Sequence, residues 1–400
     1  MPHAGGSREY YHNIYQALVK LGSSEVTILT KKTPGWQKFD ELATSALFRI
    51  RRQFRPLRSW KYRELPKGVG SFIHALWHVL RHSPEIVHAG DLYPQGLTAM
   101  ILKKLLGLPY IVYCHGEEIT QTDKYCHQPV VRDRIYQNAD AVIANSEFAR
   151  QNLLRIGVRA DRICKITPGV DAKRFRPGPP NIDLLCRYGL EGKTVILTVA
   201  RLVPRKGHRV ALQAFASVCG EFPRTHYLIV GTGPEEMHLR QLVLQLGLQE
   251  RVTFTGFAQR ESLPDLYNLC DLMLLANREE EDGDVEGFGI VFLEANAAGK
   301  PVIGGRSGGA GEAVIDGTTG YLVNPENPVE VRNALVRLLS DHSLREGMGA
   351  TGARRASTEF TWSERARMLA DLNREVLARK EQTEAPDCNK CLDAFGKGKG

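Results

Sequence analysis

Long apolar runs are absent from this sequence. No stretch of its 400 residues approaches the roughly 18 consecutive apolar residues that a membrane-spanning helix needs. Residues 1–6 contain no basic segment followed by an apolar one, so they do not resemble a secretory signal. Apolar residues make up 42% of the chain and charged residues 24%, the balance of a soluble protein. We therefore expect a cytoplasmic protein with no transmembrane segment and with enough residues for two domains.

A complete set of metal-binding cysteines is also absent. Of the eight cysteines, four lie in apolar or helical contexts where a buried thiol acts as a small hydrophobic side chain: Cys114, Cys164, Cys219 and Cys270. The one CxxC pair, Cys388 with Cys391, has no second Cys or His pair nearby to complete a tetrahedral zinc site. We predict no metal site and interpret residues 381–400 as a mobile tail.

Acidic residues are absent from one segment. Residues 48–63 contain seven basic residues and no acidic one, while the formal net charge of the whole chain is +8. Phe48, Phe54, Trp60 and Tyr62 are interleaved with the basic residues. This mixture suits peripheral contact with the anionic inner surface of a membrane or with an anionic acceptor, and it also suits a solvated surface loop. Both interpretations remain open. We expect no nucleic-acid partner, because no recognised binding motif accompanies the charge.

What the sequence does contain is two successive series of short apolar strands and amphipathic helices, a pattern typical of parallel sheets covered on both faces. The predicted strands are 26–29, 86–88, 110–114 and 141–144, then 195–199, 227–230, 252–255, 272–275 and 301–303. We predict an α/β fold of two doubly wound, Rossmann-like domains that face a central cleft. The N-terminal domain is 1–174, the linker 175–192 and the C-terminal domain 193–360, and a last helix within 361–380 returns to the first domain.

Ligands of such sheets bind at the carboxyl ends of the strands, so polar motifs at strand ends are candidates for function. Gly5 and Gly6 precede a predicted helix at 9–21 that ends at Gly22. Glycine lets a backbone approach a phosphate, and a helix N-terminus favours its charge. An ordinary tight turn would explain the same pair.

Two cations follow the predicted strand 195–199. Arg201 and Lys206 lie in a short loop at the carboxyl edge of the second sheet, where they suit a diphosphate leaving group. Fixed cations stabilise the charge that builds on a departing phosphate oxygen. The alternative is a basic surface turn, which is our interpretation of Arg205.

The most specific signal is a pair of carboxylates with seven residues between them, Glu286 and Glu294, on either side of a glycine-rich helix start. Glycines at that start would leave backbone amides open to an anion. Glu294 lies one turn beyond Ile290, where it could accept hydrogen bonds from ribose, and Glu286 could bind hydroxyls of a transferred sugar. The structural alternative pairs Glu294 with a neighbouring base.

His115 directly follows the predicted strand 110–114 and precedes a glycine. Its position at a strand end favours a role in orienting a sugar or a reacting phosphate, whereas an isolated histidine is more often structural.

Two other signals are discounted. Residues 231–234 begin like a dinucleotide fingerprint but lack its third glycine, so we expect no nicotinamide cofactor. Residues 279–284 are rich in carboxylates, but consecutive carboxylates define no coordination geometry, and we interpret them as a solvated loop.

Taken in order, these residues resemble the family-4 retaining glycosyltransferases, which have the GT-B fold. The resemblance covers about residues 1–375 and includes Asn145, Ser146 and residues 168–171. Segments 201–207, 284–287 and 307–310 look most like the GDP-mannose-dependent phosphatidylinositol-mannoside mannosyltransferases. The resemblance implies transfer of a sugar, mannose from the nucleotide-sugar donor GDP-mannose, to a lipid or glycan acceptor, with retention and without metal or other cofactor.

The resemblance also implies roles for individual residues. His115 and Glu286 contact the transferred sugar. Arg201 and Lys206 bind the donor diphosphate, and Glu294 binds the ribose. The phosphates and sugar are further held by Gly6 and by the amides of Phe288, Gly289 and Ile290, while backbone at 256–258, ending at Ala258, contacts the base.

One departure from the family concerns the N-terminus. Members carry an apolar strand directly before the glycine pair, and here Gly5 follows only residues 1–4. We therefore expect the first sheet of the given sequence to lack its first strand, either because the start is misassigned or cut or because the strand is lost. A lost central strand would expose two sheet edges, and whether such a chain is active stays open. Two alternatives remain open: a sugar-nucleotide epimerase of the same fold, and an inactive donor-binding protein.

Overall fold

Buried apolar strands form the centres of both halves of the molecule. The computed structural model describes residues 6–22, 24–31, 48–53, 67–121 and 129–384. Strands Tyr110–Cys114 and Thr225–Val230 are buried along their whole length. Continuous burial is characteristic of parallel strands that are covered by helices on both faces.

The first half contains strands β1 (Val26–Lys31), β2 (Phe48–Gln53), β3 (Val87–Ala89), β4 (Tyr110–Cys114), β5 (Ala141–Ala144) and β6 (Ile163–Lys165). Its helices are α1 (Gly6–Lys20), α2 (Lys67–His82), α3 (Leu97–Leu106), α4 (Glu117–Thr120), α5 (Pro129–Gln137) and α6 (Glu147–Arg155). Strands β3 to β6 form a four-stranded parallel sheet in sequence order, and β1 pairs with β2 in a separate parallel sheet. Within the described ranges no ladder joins the two sheets. The predicted loss of a central strand stays a prediction.

The second half contains strands β7 (Thr194–Val199), β8 (Thr225–Val230), β9 (Val252–Gly256), β10 (Leu272–Leu275), β11 (Val302–Gly305) and β12 (Gly320–Val323). They form one parallel sheet of order β12-β11-β10-β7-β8-β9. The helices are α7 (Ile182–Tyr188), α8 (His208–Val218), α9 (Glu236–Gln245), α10 (Leu263–Leu269), α11 (Ile290–Ala297), α12 (Ala310–Ala313), α13 (Pro328–Ser340) and α14 (His342–Glu359). The chain adds β8 and β9 on one side of β7 and then β10, β11 and β12 on the other, so the strand order reverses between β7 and β10. Ligands of doubly wound sheets bind at such a point.

The chain passes between the halves at two adjacent places. The amide of Val170 donates to the carbonyl of Phe360 at 2.7 Å, and Val170 also bridges to Thr361. Helix α15 (Trp362–Glu384) then packs its buried Ala366 and Leu369 against Tyr10 and Ile14 of α1. The last helix therefore lies on the first half of the molecule.

All of the predicted strands are present, and their ends differ from the prediction by no more than about two residues. Strands β2, β6 and β12 were not predicted. The predicted linker 175–192 contains helix α7, which Asn181 caps at its start. Helix α15 continues to Glu384, so the first residues of the predicted tail are helical.

The basic segment 48–63 begins with β2, and its residues 54–63 lie outside the described residues, as do Cys388 and Cys391. In the part of the chain that the structure describes, no helix is both long and apolar enough to cross a bilayer.

Candidate active site

The carboxyl ends of both sheets bring His115 and the segment around Glu286 together. His115 follows β4, and Glu286 and Gly287 precede α11. A Cβ atom at Gly287 would lie 2.4 Å from the carbonyl oxygen of His115 and 3.1 Å from Nδ2 of Asn145. Only glycine tolerates the approach to the His115 carbonyl, because real Cβ atoms essentially never come within 3.0 Å of another heavy atom. The structure thus packs the segment that carries Glu286 against the backbone carbonyl of His115.

Glu286 is held by two cations of the turn after β7. Lys206 Nζ donates to Glu286 Oε2, and Arg205 Nη1 lies 3.1 Å from the same oxygen. Burial alone would raise the pKa of Glu286, but the charges of Lys206, Arg205 and Arg201 outweigh it and the pKa is lowered. Burial lowers the pKa of Lys206, and Glu286 opposes that shift. We interpret the pair as ionised, since each charge is compensated where it is buried.

The interpretation of Arg205 as a surface residue was wrong. Its side chain is 11% exposed, and besides Glu286 it pairs with Asp284, with 3.2 Å between Arg205 Nε and Asp284 Oδ1. The amide of Arg278 donates to the carbonyl of Arg205 at 2.8 Å, which folds the following acidic loop over the turn. Arg205 and Glu286 are 81 positions apart, so the sequence around Arg205 gives no sign of their contact.

Arg201 stands at the same edge with an exposed side chain. Its carbonyl oxygen lies 3.0 Å from Nε2 of the buried His208. The charge of Arg201 adds to those of Lys206 and Arg205 in lowering the pKa of Glu286.

Glu294 lies within α11 and is buried. Tyr267 Oη donates to Glu294 Oε2 at 2.8 Å. Burial raises the pKa of Glu294 to about 7, although Tyr267, Arg260 and Arg174 act in the opposite direction. Glu294 therefore accepts a hydrogen bond from the phenol of Tyr267, whereas the structural alternative paired it with a basic side chain.

The glycine-rich start of α11 has the conformation that the sequence predicts. Gly289 caps the helix with φ of 86°, and a Cβ atom there would lie 2.5 Å from the ring of Phe292. Phe288 is buried beside it and Ile290 is the first helical residue. The amides at this end point away from the helix and carry its positive dipole.

Two other predicted residues lie at the margins of this site. Gly6 is the first residue of α1, while Gly5 lies outside the described residues. Ala258 follows β9 and packs against the second-half core. An ion pair between Glu9 of α1 and Arg260, two residues after Ala258, joins the halves here. The predicted roles of these residues, and of the others above, stay predictions.

Sequence reasoning missed the groups that surround the His115 ring. Tyr11 Oη lies 2.7 Å from Nε2 and Asn145 Nδ2 lies 3.3 Å from Nδ1. Burial lowers the pKa of His115 to about 4. The pair Asn145 and Ser146 at the end of β5 was a usable signal, whereas Tyr11 resembles any core-facing aromatic residue of a helix.

The loop 279–284 is only partly the solvated loop that was predicted. Glu279, Glu281 and Asp282 are exposed, but Asp282 Oδ2 accepts from Gln121 Nε2 at 2.9 Å across the halves. Gly283 packs on the carbonyl of Thr120, where a Cβ atom would lie at 2.6 Å. This loop therefore covers one side of the site. In the described part of the chain no three His, Cys, Asp or Glu residues are grouped as metal ligands.

Comparison with known proteins places this geometry in a family. Residues 4–174 match the model described as Glycosyltransferase Family 4, and residues 187–355 match Glycosyl transferases group 1. The GDP-mannose-dependent alpha-(1-6)-phosphatidylinositol monomannoside mannosyltransferase of Mycolicibacterium smegmatis is 32% identical over 390 residues, which cover 96% of this chain and 98% of that protein. The chain belongs to glycosyltransferase family 4.

Solved structures agree with this assignment. Sucrose-phosphate synthase from Thermosynechococcus elongatus superposes on the glycosyltransferase with a TM-score of 0.78 at 25% identity, covering 94% of each chain. HepE of Anabaena, in complex with UDP and glucose, gives a TM-score of 0.75 at 22% identity over 92% of this chain and 95% of that one. The predicted GT-B fold of two doubly wound domains facing a cleft is confirmed, and family membership sets the epimerase alternative aside.

Chemically, the glycosyltransferase has two buried and paired cations, Arg205 and Lys206, near the N-terminus of α11 and the uncharged His115. Positive groups held in position, partly away from water, stabilise negative charge without having to reorganise during a reaction. The site is suited to a leaving group that gains negative charge.

Proposed function

We propose that this glycosyltransferase moves mannose from GDP-mannose to a lipid or glycan acceptor, with retention of configuration and without a metal. The proposal depends chiefly on one observation: Arg205 and Lys206 hold Glu286 just before α11, and the next residue, Gly287, packs on the carbonyl of His115. Its choice of donor is supported by the name of the M. smegmatis relative, while HepE, at lower identity, was solved with UDP and glucose.

In this proposal the donor diphosphate lies against Arg201, Lys206 and the amides of Phe288, Gly289 and Ile290, with Gly6 approaching from the first domain. Lys206 is already compensated by Glu286, so the diphosphate adds a second acceptor to a cation that is in place. Electrostatic stabilisation of this kind acts mostly on the transition state, in which the phosphate oxygen gains charge.

Glu294 accepts hydrogen bonds from the ribose hydroxyls, and backbone at Ala258 contacts the base. A carboxylate accepts two such bonds in its ionised form, whereas the protonated acid has one fewer acceptor site. Since the pKa of Glu294 is raised to about 7, donor affinity depends on pH near neutrality.

His115 and Glu286 contact the transferred mannose. The bond between its anomeric carbon and the GDP phosphate oxygen breaks, and a bond from the acceptor oxygen forms on the same face. The acceptor proton passes to the leaving phosphate, so the products are GDP and the mannosylated acceptor. Neither step needs a covalent nucleophile from the protein.

A lipid acceptor is favoured by the surface of the first domain. Ile73, Trp77 and Leu80 recur at helical spacing along α2, with 57%, 57% and 65% of their surface exposed. Arg81 lies exposed on the same helix, and the segment 48–63 precedes it. Apolar side chains with flanking cations suit the headgroup region of an anionic membrane. We therefore place the enzyme peripherally at the inner membrane surface.

The direct test is donor turnover with GDP-mannose, GDP-glucose, UDP-glucose and UDP-N-acetylglucosamine, each with purified enzyme and membrane lipid extract. We expect GDP release with GDP-mannose and transfer of radiolabelled mannose to a lipid-soluble product. Selective turnover of a UDP donor would refute the donor assignment. Binding of GDP-mannose with no turnover under any acceptor condition would support the donor-binding alternative.

A further inference from the structure

A directed chain of hydrogen bonds passes through His115. It begins at the amide of Ala149, which donates to Ser146 Oγ at 3.2 Å, and Ser146 Oγ donates to Asn145 Oδ1 at 3.1 Å. Asn145 Nδ2 lies 3.3 Å from His115 Nδ1. His115 Nε2 lies 2.7 Å from Tyr11 Oη, which donates to the carbonyl of Gly90 at 2.5 Å.

The carbonyl end of this chain fixes the direction of the bonds at a neutral ring, and the bond from Ser146 to Asn145 agrees with it. A backbone amide can only donate and a carbonyl oxygen can only accept. Because Ser146 gives its one hydrogen to Asn145 Oδ1, the amide nitrogen of Asn145 faces His115 and donates to Nδ1. Because Tyr11 gives its one hydrogen to Gly90, its oxygen must accept from Nε2. His115 therefore carries its proton on Nε2 and none on Nδ1.

We infer that Tyr11 is a positioning residue, which together with Asn145 holds His115 as the neutral Nε2–H tautomer with its ring fixed. Tyr11 also packs its ring against Gly90, where a Cβ atom would lie 3.1 Å from Tyr11 Cζ. The phenol is thus fixed on both sides of its hydroxyl. A histidine with both ring nitrogens engaged cannot turn without breaking a hydrogen bond.

This arrangement also ties the ring to the second domain. Gly287 approaches both the His115 carbonyl and Asn145 Nδ2, so the segment that carries Glu286 rests on the same groups that orient the ring. Orientation of a side chain to well within an ångström is what positions a transferred group for reaction. The kinetic consequence rests on the proposed function, whereas the tautomer does not.

The first experiment is nitrogen-15 NMR of the histidine rings in the whole protein at pH 7.5. The signals of His115 are assigned by their loss in His115→Gln. We expect one protonated nitrogen, Nε2, with a ring proton protected from exchange by Tyr11. A proton on Nδ1 in the unmodified enzyme, or on both nitrogens, would overturn the inference.

Three variants sharpen the experiment. Tyr11→Phe should expose the Nε2 proton to rapid exchange with water. Tyr10→Phe is the matched control, because Tyr10 is the neighbouring buried phenol of the same cluster but donates to the carbonyl of Ile166. Asn145→Asp places an acceptor beside Nδ1, and we expect His115 then to take up a second proton. Unchanged spectra in Tyr11→Phe, or in Asn145→Asp, would contradict the directed chain.

The second experiment is steady-state turnover of the donor. We expect Tyr11→Phe to lower kcat about tenfold, the effect of one neutral hydrogen bond, with little change in KM for the donor. Tyr10→Phe should keep both values. Normal kcat in Tyr11→Phe would overturn the positioning role even if the ring proton is exposed. If no donor is turned over by any form, the proposed function fails and the NMR result still decides the tautomer and its support by Tyr11.

Discussion

Glu312 of the second domain forms an ion pair with Lys165 of the first, with 2.9 Å between Lys165 Nζ and Glu312 Oε2. The other carboxylate oxygen accepts a hydrogen bond from the amide of Glu147, the first residue of α6. A carboxylate at this end of a helix satisfies an unpaired amide and the positive dipole. One side chain therefore joins the domains through a charge and a helix cap.

Replacing Glu312 by Gln should lower the free energy of unfolding by about 1 kcal/mol, because both the ion pair and the charge at the helix start are lost. Urea unfolding followed by fluorescence measures the change. Glu364→Gln serves as control, since Glu364 pairs with Arg367 within one exposed helix. Equal shifts in the two variants would show that the contact between domains contributes nothing.

Lys206→Ala should lower kcat for the donor by about 100-fold or more, as for other fixed groups that stabilise a departing oxyanion. The fold should persist, because Arg205 remains paired with Glu286. Circular dichroism checks the fold, and GDP release measures turnover. Arg240→Ala, which removes an exposed cation of α9, should keep full activity. Full activity in Lys206→Ala would refute the diphosphate role.

Donor affinity should weaken as the pH falls through about 7, because Glu294 then takes up a proton and loses an acceptor site. Calorimetric titration with GDP-mannose between pH 6 and pH 8.5 measures this. Glu294→Gln should bind more weakly at high pH and lose the dependence in that range. An unaltered pH profile in Glu294→Gln would exclude Glu294 as its origin.

The same group affects folding in a defined direction. The pKa of Glu294 is higher in the folded protein than in the unfolded chain, so the folded protein binds this proton more tightly. Its contribution therefore disfavours the folded state at pH above about 7 and disappears as the pH falls below the usual value of a carboxyl. The difference in free energy of unfolding between Glu294→Gln and the unmodified enzyme should therefore favour the variant more at pH 8.5 than at pH 5.

Replacing Arg51, Arg52 and Arg55 by Gln in one triple variant should weaken binding to vesicles that contain anionic lipid. The expected loss is about 1 kcal/mol for each charge that reaches the surface. Co-sedimentation with vesicles of phosphatidylglycerol and phosphatidylcholine measures the change. Trp77→Ser tests the apolar part of the same proposal on α2. Replacing the exposed Arg240 is the control, and unchanged binding in the triple variant would refute a membrane role for the segment 48–63.

How much of the fold could be predicted depends on the length of each apolar run. The five consecutive buried residues of β4 are a signal of their own, and so are the runs of β7 and β10. Strands β6 and β12 have only two or three apolar residues each and are only partly buried, so their apolar runs are weak signals. They are strands because a neighbour in the sheet supplies their hydrogen bonds.

In the site, too, some residues could be predicted from local sequence and others could not. Glycines 287 and 289 and the strand-end His115 could be found from local sequence, since each reflects a backbone constraint at its own position. The ion pair of Arg205 with Glu286 and the contact of Tyr11 with His115 join residues that are 81 and 104 positions apart. No local pattern contains that information, because the folded topology alone brings those atoms together.

The two adjacent passages of the chain, at Val170 and at Phe360, have a mechanical consequence. The backbone connects the two domains at these two passages, which lie next to each other. Every other contact between them in the described chain is non-covalent, including Gln121 with Asp282 and Glu9 with Arg260. Rotation of one domain about these two passages would break those contacts but no strand ladder, because no ladder of the described sheets runs from one domain to the other.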